Sequence, residues 1–286
     1  MRIQTFSIVA GTTECNAQCP YCISKMTPKQ GISLEEPKVN WRNFEKSCRL
    51  AEINRVTTVL ITGKGEPTLY PKQITKFLGN LKRFNFPLLE LQTNGIILAK
   101  KGYDKYLRAW YELGLTMIAL SVVHYEQKSN KKIFSDDYPE LKNLISKLHK
   151  IGFSVRLSCT MLKGFIDNQK EVQNLIKKAK EWKVEQLSVR KLAMPKHSEN
   201  SGISTWTKEN VVNNLELEKM KKFVVKNGNR IMTLQDGAQI YDVNGQNICL
   251  TDALTIKPKS DNLRQIIFFP DGHLRFDWQY KGATLI

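Results

Sequence analysis

Strand-like and helix-like patterns alternate six times along the first two thirds of the chain, and this alternation limits the fold more than any other feature. Thr5 to Ala10, Val56 to Ile61, Leu88 to Gln92, Met117 to Val123, Phe153 to Met161 and Val184 to Leu192 are short apolar, β-branched runs. Between them lie helical patterns. Asn40 to Ile53 spaces Trp41, Phe44, Cys48 and Ala51 on one face. Pro71 opens the next, where proline suits the first helical turn. Tyr103 to Leu113, Tyr138 to Ile151 with Gly152 as its stop, and Asn168 to Trp182 complete the series. Six β-then-α units in series predict a parallel sheet with right-handed crossovers. Six fall short of the eight that close a standard barrel, so the expectation is a partial (β/α)6 barrel.

After Pro195 the pattern changes. His197 to Ser204 reads as a polar loop, and Thr207 to Asn227 as one amphipathic helix. Val243-Asn244-Gly245-Gln246 and Pro270-Asp271-Gly272-His273 are hairpin signals. The boundary is placed at 196/197, giving a barrel core over 1–196 and an α+β extension over 197–286 that covers the open side or the mouth. Asp236, Asp242, Asp252, Asp271, Arg264, Arg275 and Trp278 in the extension read as solvated surface, with the pocket mouth as the alternative.

Parallel α/β folds carry their chemistry beyond the C-terminal ends of the strands. Polar signals concentrate there. They are Gly11 to Cys22, Thr62 to Thr68, Thr93-Asn94-Gly95, Ser121 with His124, Ser158 and Thr160 with Lys163, Gly164 and Asp167, and Arg190-Lys191. His124 and His197 are candidates for proton transfer near neutral pH, against a structural or exposed role.

Six cysteines are present, and three of them, Cys15, Cys19 and Cys22, lie within eight residues. Clustered thiols in a chain of this size point to metal rather than to disulfides. Cys48, Cys159 and Cys249 are scattered and read as small buried hydrophobes, Cys159 having the alternative of facing the reaction. Gly11, Asn16 and Pro20 argue against a helix across the cluster. Structural zinc takes four ligands, and no second pair or nearby histidine completes such a set. Three thiolates suit an iron–sulfur cluster with one iron left for an exogenous ligand, with zinc as the alternative.

The segment Cys15-Asn16-Ala17-Gln18-Cys19-Pro20-Tyr21-Cys22, with an aromatic residue before the third cysteine, resembles the signature of the radical S-adenosylmethionine (SAM) superfamily. Thr62-Gly63-Lys64-Gly65-Glu66-Pro67 is similar to that family's Gly-Gly-Glu motif, here in a Gly-x-Gly-Glu-Pro form. The resemblance covers roughly residues 5 to 195. It implies that Cys15, Cys19 and Cys22 hold a [4Fe–4S] cluster whose fourth iron is chelated by SAM. It implies reductive cleavage of SAM to methionine and a 5′-deoxyadenosyl radical, which abstracts hydrogen from a substrate. By the same resemblance Thr62, Gly63, Gly65 and Glu66 belong to the methionine-binding turn. Tyr21 meets the adenine, and Thr93 and Asn94 form the polar pair after strand three. Ser121 lies near the ribose or carboxylate, Arg156 and Ser158 belong to the strand-five region, and Arg190 and Leu192 to the strand-six adenine contact. For Thr93, Ser121 and Ser158 simple packing within the sheet is the alternative. A one-electron donor such as flavodoxin or ferredoxin is implied as a partner.

The substrate is not legible. A small molecule or nucleotide is the leading expectation, with RNA or a peptide as the alternative and a non-catalytic metal-binding protein as a third. The net charge of +17 is the argument for RNA, although surface lysines would produce it alone. No apolar run of membrane-spanning length occurs, and the N-terminus reads as a strand rather than a signal peptide. The cytoplasm is the expected location.

Overall fold

The computed structural model describes residues 3–234, 237–251 and 263–286. Its first part runs β1 (Ile3–Val9), α1 (Ile23–Met26), α2 (Trp41–Ile53), β2 (Thr58–Thr62), α3 (Pro71–Leu81), β3 (Leu88–Thr93), α4 (Asp104–Glu112), β4 (Met117–Val122), α5 (Gln127–Ile133), α6 (Leu141–Ile151), β5 (Ser154–Met161), α7 (Gln169–Glu181) and β6 (Gln186–Lys191). The second part runs α8 (Ser201–Glu209), α9 (Asn214–Asn227), β7 (Asn229–Thr233), β8 (Gln239–Val243), β9 (Gln246–Thr251), β10 (Leu263–Phe268) and β11 (Leu274–Arg275).

β1 to β6 pair in order and in parallel, as the alternation requires. The local signals are where the sequence places them. Asn40 caps α2 by accepting from Asn43 N–H at 3.1 Å, and Pro71 starts α3. Gly152 ends α6 at φ 114°, a conformation that favours glycine. Two helices depart from expectation. Residues 201–227, expected as the end of a polar loop followed by one helix from 207, form two helices, α8 beginning at Ser201 inside the expected loop and α9 at Asn214, each with its own asparagine cap: Asn200 accepts from Ile203 N–H, and Asn213 accepts from Glu216 N–H. Asn210 to Asn213 break the run because the polar asparagines and β-branched valines between them favour caps and turns over helix. α6 begins at Leu141 rather than Tyr138, because Pro139 stands outside it and the Glu140 carboxylate caps it.

The sheet order is β11-β10-β1-β2-β3-β4-β5-β6-β9-β8-β7. The extension therefore does more than cover the core. β9 pairs in parallel with β6 and β10 in parallel with β1, so the arc has eight consecutive parallel strands. Both hairpin signals form. Asn244 and Gly245, at φ 54° and 81°, join β8 to β9, and Pro270 to His273 join β10 to β11.

Alternate strand residues separate two environments. Val59, Ile61, Leu91, Ile118, Leu120, Val155, Leu157, Leu187 and Val189 are buried against the helices. The opposite, concave face carries Thr62, Gln92, Ser121, Arg156, Ser158, Gln186, Ser188 and Arg190, all half-exposed. Register aligns Ser121, Ser158, Ser188 and Cys249 in one row, and Thr160, Arg190 and Thr251 in the next.

The extension is bonded into the core. Phe268 of β10 lies 5.1 Å from Phe44 and 6.4 Å from Phe77, ring centre to ring centre. The turn after β10 docks on the start of α2, where Asn40 N–H donates to Pro270 O and Asn43 Nδ2 to Gly272 O. Truncating a fully buried phenylalanine costs about 3–5 kcal/mol. Phe268→Ala should lower the unfolding free energy of the whole protein by about that amount in a denaturant titration. A loss below about 1 kcal/mol would show that the extension packs independently of the core.

Candidate active site

Three loops meet at the C-terminal edge of β1, β2 and β3. The loop after β1 and the turn after β2 are joined through their backbones. Ala10 N–H donates to Thr62 O at 2.7 Å, Gly65 N–H to Thr12 O at 2.9 Å, and Glu66 N–H to Glu14 O at 2.9 Å. A Cβ at position 65 would lie 1.9 Å from Glu14 O, so only glycine permits this approach. The close approach at Gly65 is to the cysteine loop itself.

Glu66 is the centre of the junction. Its carboxylate is buried and accepts four hydrogen bonds. Oε1 takes Thr68 N–H at 3.0 Å, Thr68 Oγ1 at 2.6 Å and Thr93 Oγ1 at 2.7 Å, and Oε2 takes Asn94 N–H at 2.9 Å. Burial pushes its pKa up, and these four donors oppose the shift. Thr93 also accepts from Gly95 N–H. Asn94 Nδ2 donates to Asn16 Oδ1 at 2.8 Å and lies 4.0 Å from Cys15 Sγ. Glu66, Thr93 and Asn94 thus tie the ends of β2 and β3 to the cysteine loop.

Cys15, Cys19 and Cys22 are free thiols, Cys15 exposed and the others half-buried. Ala17 N–H donates to Cys15 Sγ at 3.4 Å, and Gln18 N–H anchors the loop to Phe134 O at 2.7 Å. Burial pushes Cys15 up to about 11, with the Glu66 carboxylate and then Cys22 adding to it, and pushes Cys19 up to about 12, with Cys22 and Cys15 adding to it. A cation bound among them would favour the thiolate form. Among the described residues no three His, Cys, Asp or Glu side chains close on one ion-sized point. Three coupled thiols spread over one loop fit a multi-iron cluster, in which each sulfur takes its own iron, better than one zinc ion.

The remaining sequence candidates divide by position. The Tyr21 ring stacks on Trp206 of α8, with ring centres 6.1 Å apart, and its hydroxyl interacts with Thr160. Arg190 Nε donates to the same Thr160 Oγ1 at 3.4 Å. Thr62, Ser121 and Ser158 face the concave side. Arg156 is ion-paired to the buried Glu90, whose Oε1 also accepts from Gln92 Nε2, and the Arg156 Nε has no hydrogen-bond partner among the described residues. The Leu192 side chain is buried in the core.

His124 is buried and has a neighbour at each ring nitrogen. Its Nδ1 accepts from Glu126 N–H at 3.0 Å, its Nε2 lies 3.4 Å from Glu171, and burial lowers its pKa. His197 is exposed. Cys159 pairs with Val122 and Val189 on the helix-facing side and is fully buried, so it does not face the concave side. Cys48 is buried and Cys249 half-buried.

In the extension, Asp242 caps the β8–β9 turn, Asp271 holds His273, and Arg275 donates to Lys281 O. Asp236 and Asp252 lie outside the described residues. Two residues escape the sequence reading, Trp206 and Lys64. Lys64 is the x of the Gly-x-Gly turn, and its Nζ donates to Thr27 Oγ1 at 2.7 Å beneath the Trp278 ring. Its signal was a charge set between two close-packed glycines.

Glu66→Gln replaces one acceptor oxygen by a donor facing other donors in a buried site. The variant should be about 2–4 kcal/mol less stable by chemical denaturation. Unchanged stability would show that the carboxylate does not hold the three loops together.

A model of the radical SAM superfamily matches residues 9–179. The GTP 3′,8-cyclase of Staphylococcus epidermidis is 27% identical over 165 residues, covering 56% of this chain and 47% of that protein. The GTP 3′,8-cyclase of Helicobacter pylori is 27% identical over 248 residues, covering 83% and 72%. The chain thus spans about half the length of the staphylococcal relative. SuiB of Streptococcus suis, solved with SAM bound, superposes with a TM-score of 0.60 at 15% identity, covering 96% of this chain and 60% of its own. The same protein bound to its precursor peptide SuiA gives 0.60 at 14%, covering 96% and 59%. The family match spans more than half of the chain and includes the cysteine loop, so this chain belongs to the radical SAM superfamily, whose members bind SAM and a [4Fe–4S] cluster.

Proposed function

We propose that the protein is a radical SAM enzyme that abstracts hydrogen from a polar small-molecule or nucleotide substrate on the concave face of its sheet. The observation that carries this reading is the loop of three free thiols held by backbone bonds against the Gly63–Glu66 turn. Cys15, Cys19 and Cys22 would hold the cluster. When bound, the cluster supplies one electron to the sulfonium of SAM, whose carbon–sulfur bond breaks to give methionine and a 5′-deoxyadenosyl radical.

The chain's own residues position the reactants. The backbone of the Thr62–Gly65 turn would receive the methionine amino group, and Glu66 and Thr93 would keep that turn in place. Asn94 would steady the cysteine loop. Ser121 and Ser158 lie in one row of the concave face, where they would meet the ribose or carboxylate. Tyr21, Arg190 and the backbone at Leu192, just past the end of β6, would border the adenine, with Trp206 limiting water above Tyr21. Arg190 has no carboxylate within ion-pair distance among the described residues, which leaves its charge for an anionic group. That is the support for a carboxylate- or phosphate-bearing substrate. The nucleotide named for the GTP 3′,8-cyclase relatives agrees with it. A one-electron donor of the flavodoxin or ferredoxin class would serve as partner. No described helix is long and apolar enough to cross a membrane, and the cytoplasm is the location in which the cluster chemistry would persist.

The second reading is modification of RNA or a peptide. The net charge of +17 favours RNA, and the peptide-bound form of SuiB favours a peptide.

Anaerobic reconstitution should load about four irons per chain, and dithionite with SAM should then release 5′-deoxyadenosine. Cys19→Ala should abolish that release; product formed equally well by the variant would overturn the reading. If RNA is the substrate, its affinity should fall roughly tenfold or more between 50 and 200 mM salt in a filter-binding assay. Binding that is weak and indifferent to salt would remove RNA from consideration.

A further inference from the structure

Lys64 is 5% exposed, although a buried ammonium without an anion is costly. Among the described residues no carboxylate comes within ion-pair distance of it. Its two contacts are neutral: the Thr27 hydroxyl at 2.7 Å and the face of Trp278 at 5.5 Å. Thr27 donates its own proton to Ile23 O at 3.0 Å, which leaves its oxygen to accept from Lys64. Thr27 directly follows α1, and Cys22 is the residue at the start of α1. The ammonium therefore sits against the turn that presents the third thiol. The acidic groups near enough to act on it are the Cys22 thiol, once it is a thiolate, and the Glu199 carboxylate. Burial lowers its pKa to about 8, which leaves it cationic at neutral pH.

The extension keeps water away from this charge. Trp278 packs edge-on against Phe269 at 5.7 Å, and its carbonyl accepts from Gln30 Nε2 at 3.2 Å. The ring is thus held between β10 and the segment after α1. A charge sealed in this way acts on its neighbours with little screening. Adding an electron to a centre already ligated by three thiolates increases its negative charge. A fixed cation alongside favours the reduced form over the oxidised one.

We propose that Lys64, sealed by Trp278, is a built-in counter-charge that raises the reduction potential of the iron–sulfur cluster, so that the C-terminal extension helps set the potential at which the cluster accepts its electron. Lys64 acts through the cluster and is a positioning residue. The inference rests on the proposed cluster at Cys15, Cys19 and Cys22.

The test compares wild type, Lys64→Met, Lys64→Arg and Trp278→Ala after anaerobic reconstitution. Iron and sulfide are assayed, and the reduced fraction is followed by electron paramagnetic resonance at poised potentials. In Lys64→Met the ratio of reduced to oxidised cluster at a given potential should fall about tenfold, equivalent to about 59 mV for one electron. Lys64→Arg should stay near wild type, and Trp278→Ala should shift the same way as Lys64→Met by a smaller factor. A full cluster in Lys64→Met with the wild-type ratio overturns the inference. If Lys64→Met takes up no iron, Trp278→Ala decides: a lowered ratio supports the inference and an unchanged one overturns it. A wild-type chain that binds no four-iron cluster contradicts the cluster reading, and this inference with it. A normal cluster of unaltered potential contradicts this inference alone.

Discussion

The site depends on one buried carboxylate. Glu66 accepts from the backbone and side chain of Thr68, from Thr93 and from the backbone of Asn94, and so joins the turn after β2 to the end of β3. A buried charge is tolerated when its lone pairs are met by donors, and here four meet it. The turn so fixed brings Gly65 against Glu14 and registers the cysteine loop by two backbone bonds. Asn94 reaches the same loop from β3 through Asn16. The thiols are thereby held by the sheet, although they lie on a loop.

The parts legible in the sequence are those set by local chemistry. The apolar period reports a strand or helix wherever it is long enough, and Asn40, Pro71 and Gly152 mark their boundaries because each satisfies or removes a backbone group locally. Glu66 was legible as a family residue, but not as a clamp, because its donors at 93 and 94 come from another strand. Pairings between distant segments leave no local trace. The run Leu263–Phe268 looks like any short strand, and nothing in it says that it adds in parallel to β1. Gln246–Thr251 likewise shows a hairpin with β8 but not its parallel partner β6. The side on which Cys159 points follows from register, which a one-residue slip would reverse. Lys64 was hidden because the Trp278 that covers it lies in the extension.

These long-range pairings change what the extension does. It supplies a parallel strand to each end of the arc, Phe268 to the core, Trp206 to the face of Tyr21 and Trp278 to Lys64. The concave face it borders is polar, with rows of serine and threonine around Arg190, while the helix-facing side is apolar. That division gives the sheet one side for stability and one for reactants.

The central claim is that three thiolates hold a cluster with one iron left open for the methionine end of SAM. The most direct test is electron–nuclear double resonance on the reduced, reconstituted protein with SAM labelled with 15N at the amino group. Direct ligation predicts a 15N coupling to the reduced cluster that is absent with unlabelled SAM. A reduced cluster that shows no such coupling at saturating SAM would contradict the account.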